Sequence, residues 1–295
     1  MDALSDDGRL GLTIIAFIGS VFSPYYAWAR RRGAADPLNH CALNVALYGD
    51  GRSRWAMTER RRASVQRSAD MLVIGSSALT WDGTAVVIHI DERSVPVPSS
   101  LRGVVRLYPI TMFEDDFELD PSGHHRWRPM MPNARVEVDL ERPAWRWRGS
   151  GYLDSNRGTS PLEDAFACWT WCRASVRSGA VILYDVERRD GTSLTLGLRA
   201  AGDGGLIPME PPRLVHLPPS RWHIRRPVRA TGADSRPAPT VVRTLEDTPF
   251  YARSLLNLAV LDEPALAVHE SLSLDRFRQR WVQAMLPFRM PRALR

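Results

Sequence analysis

Lysine is absent from the 295-residue chain, so all 39 basic side chains are arginine; against 33 acidic residues they leave a formal charge of +6. Spread over this length the charge is a modest field. It suits an ordinary solvated surface, acidic lipid headgroups or nucleic acid, and the recognition motifs of nucleic-acid-binding folds are missing, which disfavours the last. Cysteine is scarce. Cys41, Cys168 and Cys172 cannot build a disulfide framework, and an odd count fits a reducing compartment, so the expected location is cytoplasmic. No second Cys/His pair at zinc-ligand spacing accompanies Cys168 and Cys172; they read as core residues, and no metal site is expected. Gly-rich phosphate loops, a Ser-His-Asp nucleophile signature and internal repeats are also lacking. Any chemistry must therefore come from ordinary side chains without a cofactor.

Long apolar runs are equally rare. Leu10 to Ala29 is uncharged and precedes Arg30, Arg31 and Arg32, yet Asp2, Asp6 and Asp7 come before it, and Gly19, Ser20, Ser23 and Pro24 interrupt it. These features argue against a membrane span or a signal sequence. The segment reads as a buried strand, Leu12 to Ile18, entering a turn.

What the chain does contain is short apolar or alternating runs separated by Gly, Pro and Asp, the pattern of an all-β protein. Candidate strands are Cys41–Tyr48, Thr84–Asp91, Gly103–Tyr108, Arg135–Glu141, Ala180–Val186, Ser193–Leu198 and Leu266–Ser271. In Arg135–Glu141, Val136, Val138 and Leu140 alternate with charged residues, which predicts a half-buried strand. The 22 prolines gather in predicted loops such as Pro208–Pro219 and Arg226–Pro239, the latter read as an exposed connection. One helix is predicted near the end, where Leu274, Phe277, Trp281 and Met285 recur behind an N-cap at Ser273, with Pro287 stopping it. The tail Met285–Arg295 is expected to dock on the body, or else to touch a membrane interface.

Polar and aromatic residues are densest in Gly123-His-His-Arg-Trp-Arg-Pro129 and in Trp145-Arg-Trp-Arg-Gly-Ser-Gly-Tyr-Leu-Asp-Ser-Asn-Arg-Gly158. If each piece is extended, His125 and Trp127 share one face, and Tyr152 and Asp154 share another. In a cavity such a set supplies a proton, a hydrogen bond to water and a π-face for a cation. On the residues alone the plain alternatives are a turn aspartate for Asp154, a surface or structural histidine for His125, and core aromatics for Trp127 and Tyr152.

Several ordered blocks change that balance: Phe17-Ile-Gly-Ser-Val-Phe-Ser-Pro-Tyr-Tyr-Ala-Trp28, His40-Cys-Ala-Leu-Asn-Val-Ala-Leu-Tyr48, Arg54-Trp-Ala-Met-Thr-Glu59, Gly151-Tyr-Leu-Asp-Ser-Asn156, Thr244-Leu-Glu-Asp-Thr-Pro-Phe-Tyr-Ala-Arg-Ser254, His269-Glu-Ser-Leu-Ser-Leu-Asp-Arg-Phe277 and Met285-Leu-Pro-Phe-Arg-Met-Pro-Arg292. Together they resemble the carotenoid 1,2-hydratases, or hydroxyneurosporene synthases, of photosynthetic bacteria, from near residue 17 to the C-terminus. The resemblance implies two lipocalin-like β domains, divided here at 1–160 and 161–295, with a short C-terminal helix. It also implies acyclic carotenoid substrates such as neurosporene and lycopene, water as co-substrate, and no metal or organic cofactor. The family's His-x-Trp segment maps onto His125 and Trp127, and its Gly-Tyr-Leu-Asp segment onto Tyr152 and Asp154. A carotenoid-binding carrier and a cofactor-free cyclase on the same scaffold are the alternatives. Peripheral contact with an anionic inner membrane is a further expectation.

Hydrating an isolated trisubstituted alkene needs a strong acid for the less substituted carbon. Asp154 is the expected acid. At an ordinary pKa near 3.9 only about one Asp in a thousand is protonated at pH 7, and burial against a polyene can raise a carboxyl by roughly 3–5 units. Trp127 and Tyr152 would face the cation; His125 would act either on water or on Asp154.

Overall fold

The computed structural model describes every residue except 50, 52, 202–204, 232–237 and 294–295. It divides into two compact units that interleave in sequence: the first takes residues 1–110, 134–153 and 283–295, the second 111–133 and 154–282. Both are built of antiparallel strands, as the alternating sequence predicts.

The strands of the first sheet are β1 (Asp2–Ser5), β2 (Gly11–Phe17), β3 (Cys41–Tyr48), β4 (Arg54–Arg60), β5 (Val65–Arg67), β6 (Met71–Ile74), β7 (Ser77–Trp81), β8 (Val86–Arg93), β9 (Ser100–Thr111), β10 (Phe117–Glu118), β11 (His125–Arg142) and β12 (Trp145–Gly158). Their order is β4-β3-β2-β1-β12-β11-β9-β8-β7-β6-β5, with the short β10 paired to β11. The sheet curls until β4 packs against β8, as in a barrel. The apolar run of β3 is buried over its whole length, because curling encloses one face while neighbouring segments cover the other. In β11, Val136, Val138 and Leu140 are buried as their alternation predicts.

The second sheet runs β16-β15-β14-β13-β21-β20-β19, from β13 (Phe166–Val176), β14 (Gly179–Arg188), β15 (Ser193–Ala201), β16 (Gly205–Pro208), β19 (Thr240–Asp247), β20 (Tyr251–Val260) and β21 (Glu263–Ser273). A hairpin of β17 (Leu214–Leu217) and β18 (Arg226–Arg229) packs Leu217 and Val228 onto Cys172, Leu183, Leu256 and Ala267. This corrects the reading of Pro208–Pro219 and Arg226–Pro239 as bare connections. A two-stranded ribbon has free edges on both sides, so Pro227 sits in it without breaking a ladder. The rest of the second stretch, at 232–237, lies outside the described residues.

The helices differ more from expectation. After β2, Ser23 caps an unanticipated helix α1 (Pro24–Arg31): its hydroxyl accepts from Tyr26 N, a proline opens the first turn, and Arg30 and Arg31 occupy the last. Near the C-terminus, the single predicted helix is interrupted. Between α1 and it lies the four-residue α2 (Leu162–Ala165); α3 (Leu274–Phe277) is capped by Ser273, and α4 (Arg280–Arg289) continues through Pro287 instead of stopping there. Proline so near a helix end removes only one intrahelical donor, and Met290 N still reaches Leu286 O at 2.8 Å. The break also turns the face: Leu274, Phe277 and Val282 are buried, whereas Trp281 and Met285 are exposed. Beyond α4 the tail docks within the first unit, where Pro291 O accepts from Glu59 N and Ala293 N donates to Glu59 O.

Cys41 and Cys172 are buried, while Cys168 is partly exposed with its thiol on Glu187 Oε2 at 3.0 Å, so the core reading holds for only one of the Cys168/Cys172 pair. No helix among the described residues is long and apolar enough to cross a membrane.

Candidate active site

Three of the four sequence-selected residues belong to the second unit: His125 and Trp127 on the opening of β11, and Asp154 on the closing stretch of β12. Alternation along β11 buries His125 and Trp127, at 2% and 0% exposure, and turns Arg126 and Arg128 outward. Those arginines make ion pairs across the outer face, Arg126 to Glu118 at 2.8 Å and Arg128 to Asp116 at 2.9 Å, and Arg157 of β12 also binds Asp116. The arginine density around the tryptophans is thus the solvent side of an alternating strand.

Trp127 uses its one polar atom on the carboxyl. The indole Nε1–H donates to Asp154 Oδ2 at 2.9 Å. Asp154 is itself half-buried. Around the indole, Phe117 packs at 5.5 Å and Tyr184 of β14 meets it edge-on at 5.1 Å with an interplanar angle of 76°. Tyr184 is a buried phenol whose pKa is driven well up, first by burial and then by the charges of Asp154 and Glu270. It stays protonated and is a neutral neighbour of the carboxyl.

His125 is set by its flanks. Asp120 Oδ2 accepts from His125 N at 2.6 Å, and Asp120 Oδ1 accepts from Ser122 N at 3.0 Å, which locks the turn entering β11. On the ring side, Ser160 Oγ lies 2.9 Å from Nε2, and Phe166 packs at a tilt with its centroid 4.9 Å away. Gly158 is required here: a Cβ would stand 2.4 Å from His125 Nδ1. Burial pushes the imidazole pKa below its usual value, outweighing the nearby charge of Asp120, so the ring is neutral at pH 7. Neighbouring His124 is exposed, on Thr159 Oγ1 at 2.8 Å; the buried member of the histidine pair is the one selected from sequence.

Trp169 completes an aromatic chain, edge-on to Tyr184 at 6.4 Å and to Phe166 at 6.1 Å. In register across the second sheet, Tyr184 lies opposite Trp171, Trp171 opposite Glu270, and Glu270 opposite Arg253 with an ion pair between the last two. These four share one face. The fourth selected residue, Tyr152, belongs to the first unit, fully buried on β12 opposite Asp2 of β1. Ser160, Asp120 and Tyr184 were not selected from sequence. Asp-Pro-Ser-Gly at 120–123 is a turn signal that points to Asp120, whereas Ser160 and Tyr184 carry no local signal. Among the described residues no group of three or more His, Cys, Asp or Glu is placed to hold a metal.

A structure assigned as AttH from Nitrosomonas europaea superposes with a TM-score of 0.60 at 13% identity, over 92% of this chain and 89% of that one, a likeness of fold. The acyclic carotenoid 1,2-hydratase of Thiocapsa roseopersicina is 57% identical over 293 residues, 99% of this chain and 72% of the relative. That of Rubrivivax gelatinosus is 47% identical, again over 99% and 72%. The family described as Carotenoid hydratase CrtC matches residues 14–295. With its lipocalin-like β fold and a matching sequence along nearly its whole length, this chain belongs to the carotenoid hydratase family of enzymes.

Proposed function

We propose that the protein is a carotenoid 1,2-hydratase that adds water to the terminal C1=C2 bond of acyclic carotenoids of the neurosporene and lycopene type, giving a tertiary alcohol. Besides family membership, the observation that carries this reading is the Asp154 carboxyl held by the Trp127 N–H inside an aromatic shell.

In the reaction the Asp154 carboxyl gives its proton to C2. The π pair forms the new C2–H bond and leaves a tertiary cation at C1. Water attacks C1 through oxygen, and its surplus proton passes to Ser160 Oγ as the serine proton moves to neutral His125 Nε2. Solvent then deprotonates His125 and reprotonates Asp154, so the net change is one water added. Because Asp154 is only half-buried, the apolar substrate end itself completes its desolvation, with a gain of up to roughly 3–5 pKa units available from such burial. An Asp held neutral in an apolar pocket is known from ketosteroid isomerase. Trp127 positions the acid through its N–H, and the surrounding rings give a desolvated cation about 2 kcal/mol of π stabilisation. Tyr152, two residues before Asp154, is included on the family motif alone.

The test is incubation with lycopene or neurosporene in heavy-oxygen water. Wild type should yield labelled tertiary alcohol; coloured complex without label would mean a carrier, and unlabelled cyclic product a cyclase. Asp154→Asn should fold, with an unchanged near-UV spectrum, and lose at least about a thousandfold in rate. A fully active Asn variant would remove Asp154 from the mechanism.

A further inference from the structure

A second place in the second unit has no role in hydration. The tip of the β17–β18 hairpin presents Trp222, which stacks on Trp281 of α4 with centroids 6.1 Å apart and planes 27° apart. Both indoles remain largely open, Trp222 at 41% and Trp281 at 45% exposure. The tip is not loose. Ser220 N donates to Ile224 O at 3.0 Å, Ser220 Oγ and Arg221 N both donate to Asp247 at 2.6 and 2.7 Å, and Ile224 is buried beneath. Two guanidiniums brace it: Arg226 donates to Pro218 O and Pro219 O, and Arg276 donates to Trp222 O. Rigid presentation of a large apolar ring to water has no benefit for folding.

Charge supplies the second observation. Arg221 and Arg225 flank Trp222, and Arg278 and Arg280 precede Trp281; all four are exposed, and none forms an ion pair with a described residue. The nearby acids are occupied, Asp247 by the tip itself and Asp275 by Arg189. A stacked pair of half-open tryptophans ringed by unpaired arginines matches one partner chemistry, the interface of a bilayer with anionic headgroups, where indoles settle at headgroup depth and each cation adds attraction.

We propose that the Trp222–Trp281 pair and its four arginines form a docking surface for an anionic lipid bilayer. This goes beyond the hydration reading, and its test uses vesicles without carotenoid, so either can fail alone. In a flotation assay, the full chain should bind vesicles of phosphatidylcholine with a quarter phosphatidylglycerol far better than phosphatidylcholine alone, and lose that binding in high salt. Trp222→Ser with Trp281→Ser, and separately Arg278→Glu with Arg280→Glu, should each lower the partition coefficient on the order of tenfold or more, with thermal melts within a few degrees of wild type. Wild-type protein that ignores anionic vesicles overturns the proposal. So does binding that both double variants retain, and so does a concentration-dependent dimer in sedimentation velocity that the tryptophan variant abolishes, which would assign the pair to a second copy of the chain.

Discussion

Each unit of this protein holds a carboxylate by hydrogen bonds from side chains, and the two settings have opposite characters. In the first, fully buried Glu59 accepts from Ser23 Oγ, sits 3.0 Å from His40 Nδ1, and pairs with Arg292, whose Nη2 also reaches Asn39 O at 3.0 Å. In the second, half-buried Asp154 accepts from the neutral indole of Trp127 and has the neutral phenol of Tyr184 nearby, while His125 is bonded to Ser160. A guanidinium ties down a charge, whereas an indole N–H orients a carboxyl and leaves its proton negotiable. The neighbours, not the residue types, separate a structural ion from a working acid.

The largest way to break this comparison is to remove the ion. Glu59→Ala leaves half-buried Arg292 without its carboxylate and should cost about 3–5 kcal/mol of stability, read as a fall in the urea midpoint. Turnover per folded molecule should stay at the wild-type level. If hydration vanished while the fold persisted, the roles assigned to the two carboxylates would be wrong.

Next comes the donor on the acid. Trp127→Phe deletes the hydrogen bond that orients the carboxyl, an interaction worth about 1.5–3 kcal/mol where the acceptor is ionised, so the rate should drop about tenfold to a hundredfold. The pH profile sharpens the point. An N–H donor favours carboxylate; its loss raises the Asp154 pKa, and the alkaline limb, where the acid form disappears, should move to higher pH. A limb that moves down, or not at all, would mean that the indole does not govern the proton.

Histidines show the same dependence on surroundings. His269 in the second sheet is fully buried, donates through Nε2 to Pro227 O at 2.8 Å, and has its pKa pushed down to about 4, chiefly by burial. The folded pKa is below the unfolded value, so the unfolded chain binds the extra proton and stability falls as pH drops from about 6.5 towards 4. Between pH 7 and 5 this amounts to about 2 kcal/mol at 1.36 kcal/mol per unit. His269→Gln retains a donor for Pro227 O and should flatten that slope; an equally steep acid loss in the variant would place its origin elsewhere.

These contrasts also mark what the sequence could say. Strand patterns were legible both where one face meets water and where neither does: β11 alternates in sequence and in burial, and β3, apolar except for Asn44, was bounded to the residue. The helix at 24–31 was missed although Ser23, Pro24 and the closing arginines carry every end signal, because its short run was absorbed into an uncharged stretch. Proline misled twice, at the β17–β18 ribbon and at Pro287, since its cost depends on which N–H the fold needs. Within the site, His125, Trp127 and Asp154 were reachable through family motifs. Ser160 and Tyr184 were not, because both are distant in sequence from their partners: Ser160 reaches the histidine from just past the end of β12, and Tyr184 reaches the indole from the second sheet.

The smallest expected effect falls on Ser160. Its hydroxyl lies 2.9 Å from His125 Nε2, and in the proposed relay it donates there, which stabilises the neutral ring. Ser160→Ala removes one neutral hydrogen bond, worth about 1 kcal/mol, so kcat/KM should fall about fivefold with little change in KM. Because the lost donor favoured the unprotonated imidazole, the His125 pKa should rise and the acid limb of the profile should move to higher pH. Ser160→Thr, which keeps the hydroxyl, should recover both rate and limb. A merely structural serine would lower stability without moving the limb, and a limb that moved to lower pH would show that the ring donates to the hydroxyl, reversing the direction of the relay.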